Sequence, residues 1–351
     1  MSQFHNLSIQ NITRETAKAV SITFAIPEAL KDTFSFIAGQ YLTLKTEING
    51  EEVRRAYSLS STPTSDTLTV TVKEVEGGTF SVHANTKLAA GDILEVGAPE
   101  GRFVLDYAFA KAQKTYLAFA AGSGITPIMS MIRSVLQQSE QSKFVLVYGN
   151  KTPEDTIFRD ELLALKNQYQ DRFSMELIYS QSRENGAHFG RIMKSTVNFV
   201  VKNKYASYDF DHHYLCGPEA MINEVTKVLQ ENGTAPDSIH FELFTASEET
   251  AAIEENLDGK SVIKFLCDDE EFTITMPQDE LILDAALDND IDAPHSCQGG
   301  VCSSCIARVK EGTAVMEKNQ ILTDGEVAEG LILTCQAHPT SASLVVDYDD
   351  V

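Results

Sequence analysis

Thr115-Tyr116-Leu117-Ala118-Phe119-Ala120-Ala121-Gly122-Ser123-Gly124-Ile125-Thr126-Pro127 reads as an apolar strand that runs through a glycine turn into a helix. The helical pattern continues from Pro127 to Leu136, with proline at a position suited to a first turn. Further apolar runs follow at Lys143 to Tyr148, Ser174 to Tyr179 and His213 to Cys216, with helix-length segments between them. Strands alternating with helices argue for an α/β domain built on a parallel, doubly wound sheet, placed over residues 108–246.

Working outward, residues 1–107 have a different rhythm. Ser21 to Ile26 and Leu68 to Val75 alternate with period two, and Gly39, Gly77, Gly78, Gly91, Gly97 and Gly101 punctuate the segment. That pattern predicts a small antiparallel barrel or sandwich. On the other side, Ser247 to Asp258 carries Glu248, Glu249, Glu254 and Glu255 without an aromatic residue, so 247–257 is expected to be an acidic linker. A last compact α+β unit spans 258–351. It has a strand pair (Ser261 to Cys267 and Glu271 to Met276), a helix from Leu281 to Leu287 and then a cysteine-rich loop.

The chain has 351 residues, 43% of them hydrophobic and 23% charged, enough apolar material for several cores. No window approaches the run of ~18 apolar residues that a membrane span needs, and the start lacks the pattern of a secretion signal. A cytoplasmic protein is expected, in which thiols stay reduced and clustered cysteines favour metal binding over disulfides. The net charge of −23 disfavours nucleic acid and anionic membrane as partners. From Asp258 onward there are 19 Asp and Glu against 5 Lys and Arg, a concentration suited to steered docking on a basic protein.

Cys297, Cys302, Cys305 and Cys335 follow the spacing C-x4-C-x2-C-x29-C, the ligand pattern of a plant-type [2Fe–2S] cluster. Zinc is the competing reading, because four thiolates also close a zinc site. Zinc sites usually present two C-x2-C pairs, and only one occurs here. Gln298-Gly299-Gly300 would let backbone N–H groups approach the sulfurs. Cys216 and Cys267 lie in strand patterns outside this set, and His295 reads as a solvated loop residue.

Three further motifs carry a resemblance. Arg55-Ala56-Tyr57-Ser58 and Gly78-Thr79-Phe80-Ser81 precede the stretch Thr115 to Met131, and Cys216-Gly217-Pro218-Glu219-Ala220-Met221 follows it. In this order they resemble the ferredoxin–NADP reductase superfamily, with its R-x-Y-S flavin motif, G-x-x-S/T pyrophosphate motif and C-G-P-x-x-M segment. With the cysteine loop at the C-terminus, the whole chain looks like the reductase component of multicomponent bacterial oxygenases. The resemblance implies an antiparallel β-barrel that binds FAD, a parallel-sheet NAD(P)-binding domain and a β-grasp ferredoxin.

It also implies roles for individual residues. Arg55 would pair with a flavin phosphate, Tyr57 would face the isoalloxazine or ribityl chain, and Ser58 would donate near flavin N5, with Ala56, Val72 and Lys73 lining the same site. Gly78, Thr79 and Ser81 would hold a pyrophosphate, which favours FAD over FMN. Gly122, Ser123 and Gly124 would let the pyrophosphate of the nicotinamide nucleotide approach the helix N-terminus. Thr126 would face the nicotinamide, or simply cap the helix. Cys216, with Gly217 and Pro218, would stand near nicotinamide C4, a buried structural cysteine being the alternative. Phe244 would pack near the flavin or in the core. Ser182 and Arg183, with help from Arg191, resemble the pair that holds a 2′-phosphate, which points to NADPH with NADH as the alternative.

A nicotinamide delivers two electrons as hydride and a [2Fe–2S] centre accepts one, so a flavin is the required converter. The expected order is NAD(P)H to FAD to [2Fe–2S] to an external acceptor, an oxygenase or other electron-acceptor protein docking at the acidic ferredoxin domain. No Glu-x-x-His pair and no Cys-x-His pattern supplies an oxygen-activating site within the chain. A general NADP reductase for other acceptors, and a redox-sensing module without turnover, are the alternative functions.

Overall fold

The computed structural model describes residues 4–105, 113–244 and 259–351. They fall into two compact units, one made of His5–Val53 with Tyr57–Phe244, the other built on 259–351. The boundary expected at 107/108 and the linker expected at 247–257 lie outside the described residues.

The first unit opens with six strands: β1 (His5–Thr16), β2 (Ala19–Ala25), β3 (Tyr41–Ile48), β4 (Glu51–Ser58), β5 (Thr67–Lys73) and β6 (Ile93–Val96). Their order is β4-β3-β6-β1-β2-β5, with antiparallel pairing at β1–β2, β1–β6, β3–β6 and β2–β5. Just past β4, Leu59 bridges Val70 of β5, and Ser60 N–H donates to the Thr69 carbonyl at 2.8 Å. That bridge joins the two edge strands, so the sheet closes as a barrel rather than a sandwich. Alternating residues such as Leu7, Ile22, Phe24, Leu44 and Val70 fill its interior. A helix that the sequence pattern does not announce, α1 (Thr79–Thr86), follows β5 and buries Phe80 and Ala84 one turn apart.

The same unit continues into a parallel sheet of β7 (Thr115–Ala121), β8 (Lys143–Asn150), β9 (Phe173–Tyr179), β10 (His188–Phe189), β11 (His212–Gly217) and β12 (Ile239–Leu243). The order is β10-β9-β8-β7-β11-β12, parallel throughout. Every residue from Tyr116 to Ala120 is buried, as a central strand covered on both faces requires. The helices are α2 (Ile125–Gln138), α3 (Arg159–Gln168), α4 (Lys194–Asn198) and α5 (Glu219–Glu231). α2 begins two residues earlier than its proline suggests and is buried nearly all round. The barrel accounts for this: Ser130 Oγ donates to the Ser61 carbonyl at 2.5 Å, and the Arg133 guanidinium donates to the Ser60 carbonyl while forking onto Glu161 at 2.8 and 2.6 Å. The chain leaves β7 for β8 on one side and later returns to β11 on the other. A crevice therefore opens at the carboxyl ends of β7 and β11, where such sheets bind ligands.

In the second unit, β13 (Lys260–Cys267), β14 (Glu270–Pro277), β15 (Ile306–Glu311), β17 (Leu331–Leu333) and β19 (Ser343–Asp347) form a sheet ordered β14-β13-β19-β15-β17. Only β13–β19 is parallel; the other pairs are antiparallel. β16 (Ala314–Met316) and β18 (Ala337–Pro339) form a separate pair. Helix α6 (Ile282–Asp288) buries Ile282, Leu283, Ala285 and Ala286 in the sheet's core, and α7 (Asp324–Ala328) starts on a Thr323/Glu326 capping box. A helix in the core of a mixed sheet is the β-grasp arrangement. Asp268 and Asp269 turn between β13 and β14 in left-handed conformation, and the Asp349 carboxylate accepts from both their N–H groups at 2.9 and 3.0 Å.

Candidate functional site

The turn after β7 and the end of β11 meet closely. A Cβ on Gly124 would lie 2.1 Å from the Cys216 carbonyl oxygen and 2.9 Å from Gly217 N. Gly124 is thus demanded by the neighbouring strand's backbone, whereas its motif ascribes it to an approaching pyrophosphate. Gly122 is the glycine open to a ligand's side: it adopts φ +55°, and a Cβ there would stand 3.4 Å from Lys73 Nζ, reaching over from the barrel. Burial pulls the Lys73 ammonium below the usual lysine range, with Asp155 opposing that and Lys151 adding to it. A half-buried cation beside helix-initiating N–H groups suits a pyrophosphate. Tyr148 Oη fixes the turn by donating to the Gly122 carbonyl at 3.0 Å. Ser123 is half-buried in this turn. The Thr126 hydroxyl is buried and donates to the Ser123 carbonyl at 3.0 Å, so in this structure it serves the first turn of α2.

Cys216 is wholly buried, and burial, with Glu242 adding to it, pushes its thiol well above the usual range. Glu242 stands opposite Cys216 in the β11–β12 register, and Ser58 Oγ of the barrel donates to its Oε2 at 3.4 Å. Desolvation pushes the Glu242 carboxyl up to about 8, the Ser58 hydrogen bond only partly opposing it. Ser58, Cys216 and Glu242 therefore form one buried, polar and proton-bearing cluster at the crevice. The motifs give roles to Ser58 and Cys216 and none to Glu242, the one acid in the strand Ile239–Leu243. Phe244, half-buried, packs against the sheet's core. Gly217 is buried and Pro218 exposed as the N-cap of α5.

On the barrel, the Tyr57 ring lies 5.4 Å from that of Phe80, tilted by 36°. Arg55 is exposed on β4, its guanidinium donating to the Arg54 carbonyl at 2.6 Å, and Ala56 is half-buried between Arg55 and Tyr57. Val72 turns its side chain into the barrel core, and its carbonyl accepts from Asn85 Nδ2 at 3.2 Å. Gly78 N-caps α1, so the amides of Thr79 and its successors form a helix N-terminus. Ser81 Oγ accepts from Val75 N–H at 3.0 Å, which closes the Val75–Gly78 loop. At the far edge of the sheet, Ser182 is half-buried and Arg183 exposed beyond β9, and Arg191 is exposed just past β10.

The cysteines of the second unit stand as two pairs. Cys305 Sγ is 3.3 Å from Cys335 Sγ, and the Cys297 and Cys302 thiols hydrogen-bond to each other. Cys302 and the N–H groups of Gly299 and Val301 hold the Cys297 thiol below its usual range. Gly299 N–H lies 3.3 Å from Cys297 Sγ. Among the described residues no three candidate ligands converge on one metal point. Two pairs suit two irons better than one tetrahedral zinc. Gly300, at φ +71°, and Gln336, whose Nε2 donates to the Gln298 carbonyl at 3.2 Å, shape the loop. Ser296 Oγ, beside Cys297, is buried and has no hydrogen-bond partner among the described residues, as a donor to an inorganic sulfide would be. The residues fit a [2Fe–2S] cluster. His295 is half-buried, its Nδ1 2.8 Å from the Ala293 carbonyl, and so less solvated than its loop position suggests.

A closed flavin-type barrel, a parallel sheet with a nucleotide crevice and a β-grasp unit with paired cysteines define an iron–sulfur flavoprotein reductase. The sequence matches an oxidoreductase FAD-binding domain over 6–105, an oxidoreductase NAD-binding domain over 119–227 and a 2Fe-2S iron-sulfur cluster binding domain over 265–340. It is 36% identical over 360 residues to one of the subunits of the 1,2-phenylacetyl-CoA epoxidase of Escherichia coli (strain K12), covering 99% of both chains. It is 32% identical over 355 residues to the ferredoxin reductase component of 3-ketosteroid-9-alpha-monooxygenase from Rhodococcus rhodochrous, covering 97% of this chain and 96% of the relative. Among solved structures, phthalate dioxygenase reductase aligns over 98% of both chains at 26% identity with a TM-score of 0.63. The chain belongs to the family of FAD, NAD and [2Fe–2S] reductase components of multicomponent oxygenases. Among the described residues no helix is long and apolar enough to cross a membrane.

Proposed function

We propose that this chain draws electrons from NADPH and delivers them to an oxygenase of the phenylacetyl-CoA epoxidase type, in the cytoplasm. The observation that carries the reading is the buried cluster of Ser58, Cys216 and Glu242 at the point where barrel and nucleotide crevice meet. Bound flavin would take the hydride and release single electrons, and the cluster would pass them on. The chain's own residues prepare that exchange. Arg55, the α1 N-terminus and Ser81 hold the flavin phosphates, while Ala56, Tyr57 and the Val72–Lys73 backbone line its ring and ribityl chain. Gly122, Ser123 and Lys73 cradle the nucleotide pyrophosphate. Cys216, Gly217, Pro218 and Thr126 shape the nicotinamide slot, and Phe244 closes it. Ser58 and the neutral Glu242 carboxyl offer protons near the flavin nitrogen, and the apolar walls exclude water. Ser182 and Arg183 clamp the 2′-phosphate.

Partner docking is assigned to the acidic face of the ferredoxin domain. Burial, and then crowding among Asp279, Asp284 and Asp288, raises the Glu280 carboxyl above its usual range, so a basic partner would relieve stored repulsion. Anaerobic titration with NADPH and with NADH tests the reading. Flavin bleaching followed by a one-electron EPR signal is expected, at lower NADPH than NADH. Zinc in place of iron, or no bleaching with either nucleotide, would overturn it.

A further inference from the structure

Arg183 stands on the loop 180–187, which leaves the end of β9 and returns as β10. Both ends of this loop are tied to the sheet, the first by Ser180 and Gln181 N–H donating to the Asn150 and Lys151 carbonyls at 3.0 and 2.9 Å. β10 pairs with β9 in parallel register, His188 to Ile178 and Phe189 to Tyr179, and Gly190 N–H donates to the Tyr179 carbonyl at 2.9 Å. His188 adds a tether, its Nε2 lying 3.2 Å from Oε2 of the buried Glu176. That carboxylate is itself fixed, accepting from Tyr205 Oη at 2.7 Å and pairing with Lys204 Nζ at 2.6 Å. Arg183 has no such anchor. It is exposed, and among the described residues no carboxylate pairs with it. Its guanidinium carbon lies 4.6 Å from the centroid of the Phe189 ring. Phe189 is 56% exposed, a large apolar side chain kept in water on a strand riveted to the sheet.

We propose that Phe189 is a positioning residue for Arg183: its ring holds the guanidinium where the 2′-phosphate of NADPH arrives, and so sets the preference for the phosphorylated dinucleotide. The inference rests on the NADPH reading above. A long side chain on an irregular loop loses rotamer freedom when it clamps an anion, and a fixed platform reduces that loss. An aromatic face suits the task because it attracts the cation without occupying its N–H donors. The fork stays available for phosphate oxygens, where a carboxylate partner would have used it and cancelled the charge.

The test uses the holoenzyme and two probes that carry no hydride, 2′,5′-ADP and 5′-AMP, as inhibitors of NADPH-driven dye reduction. Phe189→Leu is expected to weaken 2′,5′-ADP about two- to five-fold, the range an exposed cation–π contact supports, and to leave 5′-AMP unchanged. KM for NADPH should rise by the same factor without a fall in kcat, and Phe189→Tyr should restore the original values. Equal weakening of both probes would overturn the proposal, because the ring would then touch the adenosine itself. No change in either probe would overturn it as well. A wild-type enzyme that binds the two probes equally would refute the NADPH reading and this one with it. A wild type that discriminates, with a Phe189→Leu variant that discriminates by the same factor, would remove the positioning role alone.

Discussion

Gly124→Ala should separate nucleotide chemistry from the rest of electron transfer. Gly124 sits at φ −60° and ψ −8°, so alanine meets no backbone strain there. The obstacle is steric: the new methyl would lie 2.1 Å from the Cys216 oxygen and 2.4 Å from its carbonyl carbon, where about 3.3 Å is the near limit for carbon against oxygen. Roughly 1 Å of separation must open between the start of α2 and the end of β11. α2 cannot retreat easily, since Ile128, Met129 and Ile132 fill the core and Ser130 and Arg133 fasten it to the barrel. β11 is paired on both sides, to β7 and β12. Overpacking of this kind costs about 1–3 kcal/mol, and contact with rigid backbone places it near the upper end. A domain pair of this size should then lose roughly 6–12 °C in Tm. A shift of Cys216 by about 1 Å should slow flavin reduction by NADPH on the order of 100-fold. Stopped-flow absorbance reads that rate, and dithionite-driven transfer to an acceptor bypasses it and should persist. Gly122→Ala is the control: φ +55° strains it by about 1–2 kcal/mol, but its neighbour is the flexible Lys73 tip, so affinity should suffer more than the rate. Wild-type flavin reduction at an unchanged Tm in Gly124→Ala would refute the reasoning, as would equal loss in the dithionite assay.

Glu242→Gln keeps the shape and the Ser58 contact but removes an ionisation. The folded carboxyl sits at about 8 against an ordinary 4.5, so its contribution to stability is complete below about 4.5 and lost as pH rises toward 8. The variant should flatten that decline in urea melts and remove a step near pH 8 from the flavin-reduction profile; an unchanged profile would exclude Glu242 from the proton path. His213 has the opposite slope. Burial holds it neutral with its pKa pushed down to about 4, so stability is full above about 6.5 and falls by up to about 3 kcal/mol as pH drops to 4. His213→Asn should make stability between pH 6.5 and 4 nearly flat, and a retained slope would point elsewhere. In the ferredoxin unit, Tyr348 Oη donates to Thr334 Oγ1 at 3.0 Å, which donates to the Cys305 carbonyl at 3.0 Å. Tyr348→Phe should cost about 1 kcal/mol and hasten bleaching of the cluster by chelator, leaving the melt of the other unit unchanged; equal bleaching rates would show that this chain does not hold the cysteine loop.

Sequence order exposed the domain plan because each architecture has its own hydrophobic period. The continuous apolar run Tyr116 to Ala120 read as a buried strand, and its glycine turn announced the helix that follows. Short elements without a period escaped, α1 above all, whose eight residues bury only one turn's worth of apolar surface. The site divided along the same line. Motif residues adjacent in sequence were legible, whereas contacts made by folding were not. Glu242 joins the candidate site only because β12 pairs with β11 and sets it opposite Cys216 and beside Ser58, which is 184 positions away. Gly124 shows the converse, a residue legible from its motif but needed for a different reason, since protein backbone and not ligand fills the space a side chain would take. The cysteines join both cases. Their spacing named the cluster, but it could not say which thiols share an iron. The fold stands Cys297 beside Cys302 on the loop and brings Cys335 from beyond β17 onto Cys305, the grouping expected if each pair holds one iron. Two thiol pairs suit a two-iron centre better than a single zinc, in keeping with the match to a 2Fe-2S iron-sulfur cluster binding domain over 265–340.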